Sequence, residues 1–321
     1  MESLDIVVPC YNEEACINLL YKEVNRIMNE EDHNESINWR ILFINDGSTD
    51  NTLKEIKKIA DVDERIKYIS FSRNFGKESA IYAGLTHSKA EYVALMDADL
   101  QHPPELLHQM IKELDNGYDC CGARRVDRKG EPPARSFLSR VFYKAINHMT
   151  SMRLVQGGSD FRMMKRNMVE AVLSLPERER FTKGILSWVG FDTKWIDYEN
   201  VERSAGTTKW SFKSLLFYAI NGYFSFATAP LRIAIWLGFI IDFVTIIATI
   251  IFIVRNINSN GPRTGFGTLV CLIAFFGGTI ILILGLIGDY LSRIYFEVKR
   301  RPIFLVKDTN IGERSVIKND L

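Results

Sequence analysis

The sequence lacks the signatures of several common protein classes. No Gly-x-Gly-x-x-Gly follows its first strand-like run, which argues against a dinucleotide-dependent dehydrogenase. Its five cysteines include no Cys-x-x-Cys pair, and an odd number without a signal peptide predicts reduced, structural thiols rather than a disulfide framework. No Ser-His-Asp or Cys-His arrangement is evident, so the sequence does not indicate covalent catalysis by a Ser or Cys nucleophile.

The net charge of the 321 residues is only +1, but it is unevenly distributed. Residues 201–321 carry 13 Lys and Arg against 7 Asp and Glu, a balance of +6, which leaves −5 for residues 1–200. The positive charges flank apolar runs and form no basic stripe with base-reading elements, so nucleic acid is not an expected partner. A membrane surface fits this distribution better.

Two apolar runs are long enough to cross a membrane. Residues 233–254 contain a single charge, Asp242, and residues 268–288 contain none. Each run reaches the roughly 20 residues that a helix needs to span about 30 Å of hydrocarbon. The short polar connector, 255–267, predicts a two-helix transmembrane hairpin. Lys and Arg concentrate outside the hairpin, so the positive-inside rule predicts that both termini are cytoplasmic.

Asp242 is the one carboxylate inside the first run, where an unpaired charge is costly. Two interpretations stay open. The side chain can contact a lipid headgroup or a partner subunit, or it can form a hydrogen bond to the other helix of the hairpin. The first interpretation hints at a homo-oligomer.

The first 125 residues alternate between short apolar runs and helical patterns. Strands are predicted at 4–9, 41–45, 66–71 and 92–96, and helices at 15–28, 51–60, 77–86 and 105–114. Such alternation is typical of right-handed βαβ units. It predicts an α/β fold with a mostly parallel sheet and helices on both faces.

Each of these four strands is followed by a polar motif. The motifs are Pro-Cys-Tyr-Asn-Glu at 9–13, Asn-Asp-Gly-Ser at 45–48, Ser-Arg-Asn-Phe-Gly-Lys at 72–77 and Asp-Ala-Asp at 97–99. Ligands of open α/β sheets bind at the carboxyl ends of strands, so the motifs are expected to converge on one crevice. Asp97 and Asp99 would face the same side of an extended strand, and their oxygens suit Mg²⁺ or Mn²⁺. A solvated loop is the alternative for an Asp-x-Asp taken alone.

This set of motifs resembles glycosyltransferase family 2, and more narrowly the polyprenyl-phosphate glycosyltransferases. The resemblance extends to Gly-Gly-Ser-Asp-Phe-Arg at 157–162, Arg-Ser-Ala-Gly-Thr-Thr-Lys-Trp at 203–210 and Lys-Arg-Arg-Pro at 299–302, so it covers nearly the whole chain. It implies a GT-A type, Rossmann-like sheet domain joined to the C-terminal hairpin.

The resemblance also implies roles for individual residues. The residues implied in nucleotide binding are Pro9, Tyr11, Glu13, Asp46, Lys77 and Asp97. The implied metal ligands are Asp97, Asp99 and Gln101. The implied catalytic residues are Asp99 and Asp160. Asn45 stands where many relatives carry a first Asp, which leaves Asp46 as the sole carboxylate of that motif.

On the acceptor side, the resemblance implies that a lipid phosphate binds to basic residues: Arg124, Arg140, Arg203 and Lys209. Ordinary surface charges are the alternative, although the planar fork of Arg suits phosphate oxygens. Asp160 is implied as a base or as an acceptor-orienting carboxylate. A phosphate monoester is already largely dianionic at neutral pH, so positioning is favoured over proton abstraction. A structural pair with Arg162 is the third interpretation.

The predicted organisation has six segments. They are a cytoplasmic catalytic domain at 1–209, an interfacial amphipathic segment at 210–232, transmembrane helix 1 at 233–254, an extracytoplasmic connector at 255–267, transmembrane helix 2 at 268–290 and a cytoplasmic basic tail at 291–321. The chain is therefore expected to be a multi-pass protein of the inner (plasma) membrane.

The expected reaction is an inverting, metal-dependent transfer of one sugar from a nucleotide sugar to a polyprenyl phosphate. UDP-glucose and undecaprenyl phosphate are favoured, and N-acetylglucosamine, mannose or an aminosugar are alternatives. A processive polysaccharide synthase would carry Gln-x-x-Arg-Trp, whereas residues 177–181 read Glu-Arg-Glu-Arg-Phe. A non-catalytic, membrane-anchored nucleotide-sugar-binding module is the second rival, and the intact Asp97 and Asp99 argue against it.

Overall fold

The structure is a computed structural model that describes residues 2–30, 37–126, 155–175, 177, 178, 180–199 and 266–312, with a few positions between 240 and 247. The chain divides into two compact units. One comprises Met1–Gly222 together with Arg301–Leu321, and the other comprises Tyr223–Arg300. Each is described separately.

The first half of the sheet unit is a regular alternation of strands and helices. Its strands are β1 (Ser3–Cys10), β2 (Asn38–Asn45), β3 (Ile66–Phe71) and β4 (Tyr92–Leu95), and its helices are α1 (Glu14–Met28), α2 (Thr52–Ala60), α3 (Lys77–His87) and α4 (Leu106–Asp115). β1 pairs in parallel with β2 and β4, and β2 pairs in parallel with β3. The predicted elements are thus present, with bounds that agree to within a few residues.

The second half of the unit adds four strands and two short helices. They are β5 (Cys120–Arg125), β6 (Gly158–Lys165), α5 (Arg166–Leu173), α6 (Thr182–Trp188), β7 (Thr193–Tyr198) and β8 (Val306–Thr309). The sheet order is β7-β5-β6-β4-β1-β2-β3-β8. β6 runs antiparallel to β4 and β5, so its first residues lie at the same edge as the carboxyl ends of β1 to β5. The fold is therefore a mixed but mostly parallel α/β sheet, as predicted.

The core forms on both faces of this sheet because the central strands are apolar throughout. On one face, Ile6, Phe43 and Phe161 are fully buried and belong to the same cluster as Leu107 and Met110 of α4. On the other face, α3 lies so close to β1 that a Cβ at Gly84 would meet a methyl carbon of Val7 at 2.1 Å. Glycine at this position lets the helix approach the strand.

The last strand of the sheet comes from the C-terminal end of the chain. β8 pairs antiparallel with β3, and Phe304, just before it, is only 4% exposed. These residues belong to the predicted basic tail, 291–321. The structure thus adds an edge strand that was not predicted from the sequence.

The described part of the second unit is dominated by one long helix, α7 (Phe266–Val298). Within it, Phe275–Val298 is long and apolar enough to cross a membrane, judged by length and composition. Its 24 residues correspond to about 36 Å of helix. The predicted second span, 268–290, falls within α7. Asp242, the interfacial segment 210–232 and most of the first span and connector lie outside the described residues.

Candidate active site

The turns after β1 and β2 are joined by side-chain hydrogen bonds. The backbone N–H of Asn12 donates to Ser48 Oγ at 2.9 Å, and Asn12 Oδ1 accepts from the N–H of Thr49 at 2.8 Å. The N–H of Glu13 donates to Thr52 Oγ1 at 2.8 Å. Asn12 has a φ of 55°, a left-handed conformation that Asn tolerates better than most residues. The first two predicted motifs therefore form one connected surface.

The turn after β2 is joined in the same way to the loop after β3. Asp46 is 3% exposed, and its Oδ1 and Oδ2 accept from the backbone N–H groups of Phe75 at 2.6 Å and Gly76 at 2.9 Å. Gly47 has a φ of 65°, and a Cβ there would lie 2.3 Å from the carbonyl carbon of Arg73. The close contact between the two loops thus requires glycine at position 47.

The protonation of Asp46 reflects a balance between burial and these bonds. Burial raises the pKa of Asp46, while the N–H groups of Phe75 and Gly76 and the charge of Arg73 lower it, and the net direction is upward. In this structure the carboxylate holds the loop after β3. Each of its oxygens keeps a lone pair for another donor.

A row of alternating charges connects the first residue of α3 to the turn after β4, to β6 and to α6. The ammonium nitrogen of Lys77 lies 2.6 Å from Asp97 Oδ1 and 2.8 Å from Asp160 Oδ2. Asp160 Oδ1 lies 3.4 Å from the ammonium nitrogen of Lys183. All four side chains are between 28% and 36% exposed. We refer to Asp97, Lys77, Asp160 and Lys183 as the charge row.

The contacts within the charge row favour the ionised forms of Asp160 and Lys77. Burial alone would raise the pKa of Asp160, but the ammonium groups of Lys183 and Lys77 hold that pKa well below its usual range. Burial alone would lower the pKa of Lys77, but Asp160 and Asp97 outweigh it and raise the pKa. At neutral pH Asp160 is therefore a carboxylate with little tendency to take up a proton.

The Asp-Ala-Asp-Leu-Gln stretch forms a tight turn at the end of β4. The N–H of Gln101 donates to Asp99 Oδ1 at 3.3 Å, and Leu100 has a φ of 55°. A left-handed leucine costs about 1–2 kcal/mol, and such strained residues concentrate at functional sites. Within the described ranges, no group of three or more His, Cys, Asp and Glu side chains is arranged to hold a metal ion. A metal here would have to bind with fewer protein carboxylates.

A cavity of about 480 Å³ opens beside the turn after β1. Its polar lining is mostly acidic and comes from Asn12, Glu13, Glu14, Asp50 and Glu55. Carboxylates accept hydrogen bonds from hydroxyl groups and repel phosphate. The cavity can therefore accommodate a polyhydroxylated group such as a ribose more readily than a diphosphate. Two further residues implied in nucleotide binding lie next to this turn: Pro9, which is partly buried, and Tyr11, which is 39% exposed.

Three residues of this region were given no role from the sequence. Lys183 completes the charge row, and Glu78 fixes the segment that carries it, since Glu78 Oε2 accepts from both the N–H and the hydroxyl of Thr182. His102 is 9% exposed, and its ring lies 5.5 Å from that of Phe161. Burial lowers the pKa of His102, and its Nδ1 has no hydrogen-bond partner within the described part of the chain.

The predicted acceptor residues are only partly described. Arg124 lies at the end of β5, at the site edge of the sheet, and its guanidinium donates to both carboxylate oxygens of Asp197 at 2.6 and 2.9 Å. Both side chains are substantially exposed, at 39% and 47%. Arg140, Arg203 and Lys209 lie outside the described residues.

Comparison with known proteins assigns this chain to a family. Its residues 5–173 match the profile of Glycosyl transferase family 2. The putative glycosyltransferase CsbB of Bacillus subtilis (strain 168) is 44% identical over 313 residues, which cover 98% of this chain and 94% of the relative.

Two further relatives carry more specific names. The SfII prophage-derived bactoprenol glucosyl transferase of Shigella flexneri is 36% identical over 96% of this chain and 99% of its own length. The prophage bactoprenol glucosyl transferase homolog of Escherichia coli (strain K12) is 37% identical over 95% and 98%. These matches show that the chain is a glycosyltransferase and belongs to glycosyl transferase family 2.

Proposed function

We propose that this chain transfers one glucose from UDP-glucose to the phosphate of undecaprenyl phosphate or a similar polyprenyl phosphate, with inversion at the anomeric carbon. The near-full-length likeness to bactoprenol glucosyl transferases supports this choice of sugar and acceptor. The structural observation that carries the proposal is the charge row, because it links the donor-side turns to Asp160 on β6 through contacts of 2.6, 2.8 and 3.4 Å.

The donor nucleotide is proposed to bind at the turns after β1, β2 and β3. Tyr11 is 39% exposed and offers a ring for stacking against the base, and Pro9 is proposed to contact the nucleotide beside it. Glu13 lines the acidic cavity and can accept hydrogen bonds from ribose hydroxyls. Asp46 holds the loop after β3 and has lone pairs left for a ring N–H of the pyrimidine.

A divalent cation, Mg²⁺ or Mn²⁺, is proposed to bind Asp97, Asp99 and the side-chain oxygen of Gln101. These are hard oxygen donors, and Mg²⁺ commonly uses one or two carboxylates together with substrate phosphates and water, so the residues present fit the ion. When bound, it would neutralise negative charge on the departing diphosphate.

Lys77 supplies a positive charge of the protein itself next to the proposed cation site. It is held between Asp97 and Asp160, so its ammonium group is oriented before the substrates arrive. Preorganised charges of this kind stabilise developing negative charge without further rearrangement. Lys77 therefore assists departure of the diphosphate.

On the acceptor side, Asp160 is proposed as a positioning carboxylate rather than a base. The acceptor phosphate is already largely dianionic at neutral pH, and the lysines keep Asp160 ionised. One phosphate oxygen attacks the anomeric carbon as the bond to the diphosphate breaks, so a single displacement inverts the configuration. Lys183 would attract the acceptor phosphate. Arg124 would release Asp197 and bind the acceptor phosphate instead. Arg140, Arg203 and Lys209 remain proposed ligands from the sequence.

A membrane location follows from the chemistry of a polyprenyl acceptor. The apolar helix α7 supports it, since a 24-residue stretch of that helix is long enough to span the hydrocarbon core. We propose that the sheet unit works on the cytoplasmic side, where nucleotide sugars are made, and that 233–254 forms the first helix of the hairpin, before α7.

The test is transfer by the purified full-length chain. It is incubated with radiolabelled UDP-glucose, a divalent cation and undecaprenyl phosphate, and the products are separated by thin-layer chromatography. A single labelled species that migrates as a monoglycosylated lipid supports the proposal. Label that stays at the origin as polymer would favour a processive synthase, and nucleotide binding without transfer would favour a binding module.

A further inference from the structure

Phe304, from the C-terminal end of the chain, is packed against β3 and α3. These two elements flank residues 72–76, which we call the donor loop. Its ring stacks on that of Phe71 with centroids 5.0 Å apart and an interplanar angle of 19°. It also meets the rings of Tyr82 at 6.4 Å and His87 at 6.1 Å. Phe71 ends β3 and the other two belong to α3, so Phe304 contacts both sides of the loop at residues 72–76.

The residues that follow Phe304 are fixed to the sheet by several bonds. We call residues 304–310 the C-terminal strap. The carbonyl of Leu305 accepts from the N–H of Ser72 at 3.0 Å, and Asn310 Oδ1 accepts from the N–H of Tyr68 at 2.8 Å. Asp308 lies 2.5 Å from the ammonium group of Lys57. The strap is therefore anchored along β3 and at the first residue of the donor loop.

From Phe304 the contacts continue to the proposed nucleotide site. The ring of Phe71 meets that of Phe75 edge-on, with centroids 5.8 Å apart. The N–H of Phe75 donates to Asp46, as does the N–H of Gly76. Two aromatic contacts therefore separate Phe304 from the residue whose amide holds Asp46.

We propose that Phe304 is a positioning residue for the donor nucleotide. Its ring holds Phe71 and α3 in place, and through Phe75 it keeps two backbone amides on Asp46. Removal of the ring would leave a cavity against β3 and loosen the loop at residues 72–76. This inference rests on the proposed function, because it assumes that the nucleotide binds at this loop.

The first measurement is amide hydrogen exchange on the ligand-free full-length chain, which does not depend on any substrate. Phe304→Ala is compared with wild type, with the conservative Phe304→Leu and with Leu305→Ala. Leu305 is the adjacent residue and is 47% exposed, and the variant keeps the backbone bond to Ser72. Faster exchange at the amides of Phe75 and Gly76 is expected in Phe304→Ala, with a smaller change in Phe304→Leu and none in Leu305→Ala.

The second measurement separates positioning from general destabilisation. UDP-glucose and undecaprenyl phosphate are titrated in turn at a temperature where all variants remain folded. Phe304→Ala is expected to raise the KM for UDP-glucose by about tenfold, in line with the loss of an aromatic contact, while the KM for the lipid stays unchanged. Phe304→Leu should recover most of the loss.

Two outcomes would overturn the inference, and a third concerns the proposed function instead. Unchanged exchange at Phe75 and Gly76 in Phe304→Ala would remove the structural link, whatever the kinetics. Equal changes in both KM values would show that Phe304 supports the whole site and not the donor nucleotide in particular. If wild type binds no UDP although the exchange changes as expected, the nucleotide site is wrong and the link between the strap and the loop stands. If Phe304→Ala does not fold, Phe304→Leu and Asn310→Ala provide the same two comparisons.

Discussion

The ammonium nitrogen of Lys77 lies 2.6 Å from Oδ1 of Asp97, one of the two carboxylates proposed to hold the cation. The same nitrogen lies 2.8 Å from Asp160. A cation that arrives at Asp97 therefore competes with Lys77, and Lys77 keeps Asp160 as its second partner. The occupancy of the donor site and the charge environment of Asp160 are thus electrostatically linked.

Replacing Lys77 by Gln is expected to separate metal binding from turnover. Without the ammonium group, turnover should fall by about 10²-fold or more, because a preorganised charge near the leaving diphosphate is lost. The affinity for Mn²⁺ in the presence of UDP should rise, since a competing positive charge has been removed from Asp97. Steady-state kinetics and Mn²⁺ titration followed by electron paramagnetic resonance measure the two effects.

The control for this substitution is Lys112→Gln, on the exposed side of α4, which should change neither quantity. Lys77→Arg keeps the charge and should retain part of the turnover. A Lys77→Gln variant with normal turnover, or with weaker Mn²⁺ binding, would contradict the role given to Lys77.

Replacing Asp99 by Ala tests the proposed metal site. Transfer should fall by at least about 10²-fold because one of two protein carboxylates is removed from the cation. The matched surface variant is Glu105→Ala, which removes only an exposed ion pair with Arg26 at 3.3 Å and should keep full activity. Product release is followed by a coupled assay for UDP. An Asp99→Ala enzyme with unreduced activity would exclude Asp99 as a ligand.

Asp46 should confer a pH dependence on nucleotide binding. Burial raises its pKa above the ordinary value of 3.8, so the carboxyl gains a proton at a higher pH than an exposed Asp. The protonated oxygen then faces a backbone N–H without accepting its bond, and the loop after β3 loosens. Affinity for UDP should therefore decline on the acid side with a midpoint above 3.8.

Asp46→Asn provides the comparison for that profile. The NH₂ group of the new side chain would point its N–H toward the N–H of Phe75 or Gly76, so one buried hydrogen bond is lost. UDP binding should therefore be weakened by about tenfold at neutral pH. The acid-side decline should also vanish, because the titrating group is gone. Calorimetric titration across pH measures both, and an unchanged acid limb would assign the titration to another residue.

Lys183→Gln tests the acceptor end of the charge row. Lys77 still pairs with Asp160 in this variant, so folding and donor binding should be retained. The KM for undecaprenyl phosphate should rise by about tenfold, as expected for loss of one charge-assisted contact. Lys194→Gln, on β7, is the matched control and should behave as wild type. A rise in the KM for UDP-glucose instead would move Lys183 to the donor side.

Much of the sheet could be predicted because local signals were strong. Each central strand is a short apolar run, and each is followed by a polar turn, as at Asp46 and Asp97. Parallel pairing then places those turns at one edge, whatever the loop details. The contacts from Asn12 to Ser48 and from Lys77 to Asp97 lie at that edge.

The parts that could not be predicted depend on contacts between residues far apart in the chain. β8 has only four residues, two of them charged, and it pairs with a strand more than 230 residues earlier, so no hydrophobic period identifies it. Lys183 belongs to no motif and is placed by Glu78 of α3. The charge of Arg124 was recognised, but its pairing with Asp197 depends on the register between β5 and β7.

The most direct test of the central claim is mass spectrometry of the lipid after reaction with UDP-glucose, together with measurement of the UDP released. Undecaprenyl phosphate that carries one hexose is expected, formed in a one-to-one ratio to UDP. Unmodified lipid accompanied by UDP release, or lipid that carries a chain of hexoses, would contradict it.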